Sequence, residues 1–287
     1  MKIVSYNIQY GKGRDECFDL ERIANELKGA DIIALQEVER FWQRSGMVDQ
    51  PAELATLLQQ YFWVFGANLD MHCDALDEQG KPLNHRRQFG TMILSRWPIL
   101  SSRNFPLPKY GTLAQHSIQQ GLLEAVIDTP LGPLRVYSVH LSHLCSETRL
   151  PQVRFILDHL REAYGEGGAW CGGHPEQISG WTEGGEPPMP RSAMLLGDFN
   201  CDYLSPEYAQ LVGPLSSKYG RLNHREGLVD AWVAAGHAEA EGTTHPNSAT
   251  RIDHCLLTPD LAAHVNDCTI DTQAKGSDHW PLWIQLA

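Results

Sequence analysis

Met194-Leu195-Leu196-Gly197-Asp198-Phe199-Asn200 is an apolar run that stops at two short polar side chains. Its first residues have the length and character of a buried strand, and Gly197 frees the backbone to turn as it leaves the sheet. On extended backbone, Asp198 and Asn200 project from the same side of the strand end. A carboxylate and a carboxamide presented together suit a hard divalent cation, a phosphate oxygen and a water held between them. The same Asp-x-Asn is also compatible with a turn whose side chains satisfy their own backbone. Which reading holds depends on the rest of the chain.

Other polar residues stand at predicted strand ends in the same way. Lys2 to Tyr6 reads as a strand, and Asn7 follows at its end before the loop Gly11-Lys12-Gly13. Asp31-Ile32-Ile33-Ala34-Leu35-Gln36-Glu37 is a short apolar run that delivers Glu37 at its end, although an isolated Glu there is more often a solvated surface group. Leu122 to Ile127 and Leu134 to Val139 form a hairpin around Thr129-Pro130-Leu131-Gly132-Pro133, and its second strand ends at His140. Asp253 opens the strand of Arg251 to Leu257, and Asp278 and His279 precede the last strand, Trp280 to Leu286. Helical spacing marks covering helices over Asp19 to Lys28, Pro51 to Gln60, Glu147 to Ala163, Pro206 to Val212 and Leu228 to Ala235.

Two stretches lack periodicity. Met71 to Arg87, between strands at Phe62 to Phe65 and Thr91 to Leu94, reads as an exposed loop ending in His85-Arg86-Arg87. Arg86 and Arg87 could reach a substrate phosphate, since guanidinium forks match phosphate oxygens, but arginines on a surface are commonly just solvated. Tyr164 to Arg191 carries Gly and Pro throughout and reads as a loop inserted into one domain that spans residues 1–287. Within it Cys171 and His174 have a spacing seen in metal sites, without a second pair to complete a tetrahedron.

Composition sets the outer bounds. With 42% hydrophobic residues and 9% aromatics, 287 residues can build a sizeable core. No apolar stretch approaches the ~20 residues of a membrane span, and the first residues lack a signal-peptide pattern, so a cytoplasmic monomer is expected. Seven scattered cysteines cannot all pair within the chain, which favours reduced thiols. The net charge of −12 repels polyanions and disfavours nucleic acid as a partner, leaving room for a local basic patch.

Asn7, Glu37, His140, Asp198, Asn200, Asp253, Asp278 and His279 thus all fall at ends of predicted strands, which suggests a single mouth. The set holds oxygens for a hard cation and His and Asp groups able to pair as a proton relay or phosphate clamp. Rival chemistries lack their parts: the chain has no Gly-x-Ser-x-Gly elbow, no Walker-type loop and no His-Glu-x-x-His.

Ser5-Tyr6-Asn7-Ile8, Leu35-Gln36-Glu37-Val38, Ser138-Val139-His140-Leu141, Gly197-Asp198-Phe199-Asn200, Arg251-Ile252-Asp253-His254 and Ser277-Asp278-His279-Trp280-Pro281 come in an order that resembles the endonuclease/exonuclease/phosphatase, or DNase I-like, superfamily. That resemblance implies a four-layer α/β/β/α sandwich, two mostly antiparallel sheets face to face with helices outside. It implies that Glu37, with Asn7 and Asp278, holds Mg²⁺, with Mn²⁺ as a substitute. Asp198 would orient or deprotonate the attacking water, with Asn200 fixing that water or the phosphate. His279 paired with Asp253 would clamp the phosphate or shuttle a proton, and His140 would sit on the leaving-group side. Gln9 and His140 depart from the pattern of the superfamily's apurinic-site nucleases, which makes DNA repair a poorer fit. The shared site serves many phosphate esters, so the catalytic set alone does not choose the substrate. The expected substrate is a phosphodiester or phosphomonoester of a small molecule or lipid head group. A metal-dependent nuclease is the alternative, and a non-catalytic binding module on the same fold is a third reading. A closed pocket rimmed by Arg44, Arg86 or Arg87 would favour the small substrate, and a continuous basic groove with exposed aromatics the nuclease.

Overall fold

Alternating apolar residues carry the chain back and forth between two sheets. In the computed structural model, which describes residues 1–73, 76–176 and 180–287, the chain opens with β1 (Lys2–Asn7), α1 (Leu20–Glu26), β2 (Ile32–Arg40), α2 (Gln50–Leu57), β3 (Phe62–His72) and β4 (Arg86–Ser95). It continues through β5 (Ile99–Pro106), β6 (Gly121–Thr129), β7 (Gly132–His140), α3 (Ser146–Glu166), β8 (Ala193–Asp198) and α4 (Pro206–Val212). It closes with the short β9 (Leu215–Ser216), β10 (Gly220–Arg221) and β11 (Val229–Asp230), then α5 (Ala231–Ala234), β12 (Asp253–Leu257), α6 (Pro259–Ala262), β13 (Val265–Ile270) and β14 (Leu282–Leu286).

One six-stranded sheet has the order β13-β14-β1-β2-β4-β3 and the other β11-β12-β8-β7-β6-β5. Each contains one parallel pair, β1 with β2 and β7 with β8, and all its other pairings are antiparallel. A parallel pair needs a crossover, and α1 and α3 lie in those two crossovers. The core follows the strand period. Ile3, Ile32, Ala34 and Ile284 of the first sheet meet Leu123, Val136, Met194, Leu196 and Cys255 of the second in one buried cluster. Their neighbours face the other way: Val4, Tyr6, Ile33 and Leu35 pack on Leu20 and Ile23 of α1 and Leu54 of α2. Tyr137, Val139 and Leu195 pack on Val153 and Ile156 of α3 and on Tyr208 and Leu211 of α4. The result is a helix, sheet, sheet, helix sandwich with mixed sheets, as the motif order implies.

Several elements differ from the sequence reading. The strand expected at Phe62 to Phe65 runs on to His72, and the strand expected at Thr91 to Leu94 begins at Arg86. Only the two ends of the expected exposed loop belong to a hairpin, in which Met71 pairs with Arg87 and His72 with Arg86, and the described residues between them form a mostly exposed loop. Residues 74–75 of that stretch lie outside the described residues. The expected helix from Leu228 to Ala235 is a two-residue strand followed by four helical residues, with Asp230 accepting from the N–H of Trp232 at 2.9 Å. Helix α3 continues to Glu166. Of the expected insertion, residues 177–179 lie outside the described residues, and the described part of 167–191 forms turns and bends. Among the described residues no helix is long and apolar enough to cross a membrane.

Candidate active site

The rows of side chains between the sheets are apolar until they reach one rim. Ile3, Ser5 and Asn7 share a face of β1, as do Met194, Leu196 and Asp198 on β8 and Val136, Ser138 and His140 on β7. Register brings them level, with His140 and Asp253 each paired opposite Asp198. Gly197 makes this possible. Its φ is +152°, and a Cβ there would lie 1.8 Å from the Val139 carbonyl oxygen.

Glu37 reaches the same rim by an irregularity. Simple alternation would turn it outward with Leu35, but the β2–β4 register shifts between Leu35 and Val38 and Glu37 adopts a φ of 58°. The extra residue re-aims the side chain, as bulges do. Gln36 stays between the sheets, where its amide donates to Ser138 Oγ at 3.0 Å and Ser138 donates to the Leu35 carbonyl at 3.0 Å.

Asp198 is the hub. Its Oδ2 accepts from Asn7 Nδ2 at 3.0 Å and lies 3.5 Å from His140 Nε2 and 3.6 Å from His279 Nε2. Its Oδ1 accepts the Asn200 N–H at 2.9 Å. The same Asn7 amide donates to Glu37 Oε1 at 3.1 Å, while its Oδ1 accepts the Gln9 N–H at 3.0 Å, which fixes the amide's orientation. His279 Nδ1 lies 2.8 Å from Asp253 Oδ2. The Asp253 N–H donates to Thr244 Oγ1 at 3.1 Å.

Burial pushes the Asp198 carboxyl up, but the His279 and His140 imidazoles and the hydrogen bonds from Asn200 and Asn7 outweigh it and hold the group low. Burial likewise disfavours the His279 cation, yet the Asp253 and Asp198 carboxylates overcome it and raise that pKa to about 10. Asp253 is raised by burial first and then by the nearby Asp198 charge, against the pull of His279. The three groups thus favour a cationic imidazole beside an anionic Asp198. His143 is lowered, by burial and then by His140 and His116.

Asn200 departs from the expected extended geometry. It has a φ of 51°, and its side-chain amide donates to the Leu141 carbonyl at 3.0 Å. The turn reading of Asp-x-Asn is realised at Asp198 Oδ1, which closes the turn, while Oδ2 faces the histidines. Asp278 sits on the His279 side, its carboxylate 3.2 Å from Ser277 Oγ and 3.8 Å from His245 Nε2.

Glu37, His140, Asp198, Asn200 and His279 line a cleft of about 400 Å³. Arg44 lines it too, but neither Arg86 nor Arg87 does. Arg86 Nε is engaged 2.7 Å from Asp70 Oδ1 on the exposed hairpin, and the Arg87 guanidinium lies over Trp42 at 5.6 Å. The sequence reading misses Tyr10, Trp42, Met71, Phe89, His116, Ile118 and His143 of the lining, and His245 beside Asp278. His143 alone carries a local signal, three residues after His140.

Two donor groups among the described residues could hold a metal ion, Asp198 with Asp253 and His279, and His245 with Asp278 and His279. Cys171 and His174 belong to neither. A third position is marked by Glu37, which opens on the cleft 4.0 Å from His140 Nδ1, a buried nitrogen with no hydrogen-bond partner. A carboxylate with an amide beside it and solvent in front fits a hard cation that keeps several waters.

A four-layer sandwich with a carboxylate, imidazole and carboxamide cluster at one rim defines the class of protein. The chain belongs to the Endonuclease/Exonuclease/phosphatase family, whose sequence profile matches residues 4–279. It is similar to a solved endonuclease/exonuclease/phosphatase from Beutenbergia cavernae, with a TM-score of 0.64 and 21% identity over 100% of this chain and 72% of that one. It also resembles a mannosyl-6-phosphatase from Bacteroides thetaiotaomicron, with a TM-score of 0.63 and 20% identity over 100% of this chain and 99% of that one. A segment of 70 residues is 39% identical to DNA-(apurinic or apyrimidinic site) endonuclease 2 of Schizosaccharomyces pombe, covering 23% of this chain and 12% of that protein.

Proposed function

We propose that this protein is a Mg²⁺-dependent phosphoesterase that hydrolyses a phosphodiester or phosphomonoester of a small molecule or lipid head group by in-line attack of water. The observation that carries this reading is the convergence on Asp198 Oδ2 of the Asn7 amide at 3.0 Å and the two imidazoles at 3.5 and 3.6 Å. Asp198, held anionic by these partners, accepts a hydrogen bond from the attacking water and orients it, or takes its proton as the phosphorus–oxygen bond forms. His279, kept cationic by Asp253, meets charge developing on the phosphate oxygens. His140 is placed to protonate the departing oxygen, and Asn200 to steady the water or phosphate. Glu37 would hold the metal, with the Asn7 amide steadying its carboxylate through Nδ2 and Asp278 close by on the His279 side. When bound, the ion supplies Lewis-acid charge to a nonbridging phosphate oxygen.

A small substrate is favoured by the bounded cleft, to which only Arg44 of the three candidate arginines contributes, and by the net charge of −12. The 70-residue likeness to an apurinic-site endonuclease keeps a nuclease as the second reading. The test is hydrolysis of paired synthetic diester and monoester phosphates with Mg²⁺, with Mn²⁺ and with chelator, beside Asp198→Ala. Metal-dependent turnover that falls by about 10³-fold or more in the variant is expected. Equal turnover by the variant would remove the assignment, and cleavage confined to DNA or RNA would select the nuclease.

A further inference from the structure

The arginine that does line the cleft is not disposed as a phosphate clamp. Arg44 Nε and Nη2 both donate to Glu39 Oε2, at 3.0 and 2.7 Å, and Glu39 is fully buried, so the guanidinium charge is met from inside the protein. Its flat face is turned to aromatic rings instead. The guanidinium carbon lies 4.0 Å from the Tyr10 ring centroid and 4.6 Å from that of Trp42. The Trp42 ring is anchored by its Nε1, which donates to the Gln88 carbonyl at 2.7 Å, and the main chain that carries Tyr10 is held where its carbonyl accepts from Gln50 Nε2 at 2.7 Å. Beside them Leu69, Met71, Phe89 and Ile118 continue the lining, and Met71 remains 41% exposed.

We propose that Tyr10, Arg44 and Trp42, together with Met71, form a binding subsite for a planar aromatic or heteroaromatic ring carried by the phosphate-ester substrate. The proposal rests on the phosphoesterase reading above and narrows its substrate class. Indole, phenol and guanidinium faces stack on flat rings, and an exposed methionine adapts to them. Because Glu39 already holds the Arg44 guanidinium and the Gln88 carbonyl the Trp42 indole, binding a ring there orders little further freedom of these two side chains. The cleft, at about 400 Å³, holds a phosphate and a ring system together, and one wall is acidic and imidazole-rich while the other is flat and apolar. A stack that served only to brace the Phe41-to-Met47 loop would show no preference among ligands.

Calorimetric binding of naphthylmethyl phosphonate and of decahydronaphthylmethyl phosphonate, in Mg²⁺, separates these outcomes. The two share a carbon skeleton and differ in flatness, and neither is hydrolysed. The expected result is about tenfold tighter binding of the naphthyl compound to the wild-type protein, falling below about twofold in Trp42→Leu. The wild-type ratio is informative without any variant. Equal affinities, tighter binding of the saturated compound, or no binding of either would overturn the subsite. The phosphoesterase reading stands or falls separately on the Asp198→Ala hydrolysis assay.

Discussion

Replacing Gly197 by alanine should injure stability and catalysis together. The added Cβ would lie 1.8 Å from the Val139 carbonyl oxygen and 2.8 Å from its carbon, on a backbone whose φ of +152° side chains rarely adopt. The φ strain costs about 1–3 kcal/mol and the overpacking about 1–3 kcal/mol more, so the sum is roughly 2–6 kcal/mol. That is a large share of a typical stability of about 5–15 kcal/mol, and at about 2–4 °C per kcal/mol it lowers the melting temperature by roughly 10 °C. Relief requires β8 to move from β7 where Asp198 stands opposite His140, so the 3.5 Å separation of Nε2 and Oδ2 must change. Misplacement on the order of 1 Å at a reacting group costs about 10²-fold in rate. Gly29→Ala is the control, since Gly29 has a φ of +93° and a methyl added there would meet nothing within 4 Å, leaving only the backbone strain. Scanning calorimetry and turnover of both variants would decide. If Gly197→Ala melts no lower than Gly29→Ala and keeps wild-type turnover, the account of how β8 presents Asp198 is wrong.

Three further outcomes are expected. Glu37→Gln should weaken Mg²⁺ or Mn²⁺ binding by about tenfold or more in a metal titration, and an effect confined instead to Asp278→Asn would move the ion to the His245 side. Arg251 Nη2 lies 2.9 Å from Asp230 Oδ2 with both side chains 1% exposed, so Arg251→Met should cost about 3–5 kcal/mol in urea unfolding by removing the guanidinium that offsets a buried carboxylate. Pairing it with Asp230→Leu should recover part of that loss. Burial pushes Glu124 up, but hydrogen bonds from His159, Arg103 and Tyr137 outweigh it and bring its pKa from 4.5 down to about 2. A depressed carboxylate stabilises the fold above its unfolded pKa and loses that contribution as pH falls toward the folded value. Wild-type stability should therefore drop, relative to Glu124→Gln, by about 1.4 kcal/mol per pH unit between 4.5 and 2, as read from unfolding at stepped pH.

What can be read from the chain and what cannot divide along a physical line. β1, β2, β7, β8, β12 and β14 lie inside the sheets, so they are apolar and end where the sandwich meets solvent. That ending exposes Asn7, His140 and Asp198 as polar residues after apolar runs and Asp253 as one before such a run, which is a local pattern. The edge strands β3, β5, β11 and β13 have one neighbour each and an exposed side. Val265-Asn266-Asp267-Cys268-Thr269-Ile270 and Ile99-Leu100-Ser101-Ser102-Arg103-Asn104-Phe105-Pro106 carry polar residues that blunt alternation, and the sequence reading misses these two, shortens β3 and assigns β11 to a helix.

The site divides in the same way. A residue that continues an inner row announces itself by period, but Glu37 does not continue one. Its direction depends on a register shift that only the pairing of β2 with β4 imposes, and the strand end that the sequence suggests there is absent, since β2 runs on to Arg40. The cleft wall is further still from local pattern. Tyr10 follows β1, Trp42 follows β2 and Met71 lies near the end of β3, so three segments that are silent separately meet only when the first sheet forms. Arg44 shows the cost of reading charge without partners. From the sequence it is a cation free to hold phosphate, whereas Glu39, five residues earlier and pointing inward, turns it into a flat surface. The polar residues of the rim can therefore be read at strand ends, whereas the aromatic wall of the cleft is set by contacts between distant segments that no spacing predicts.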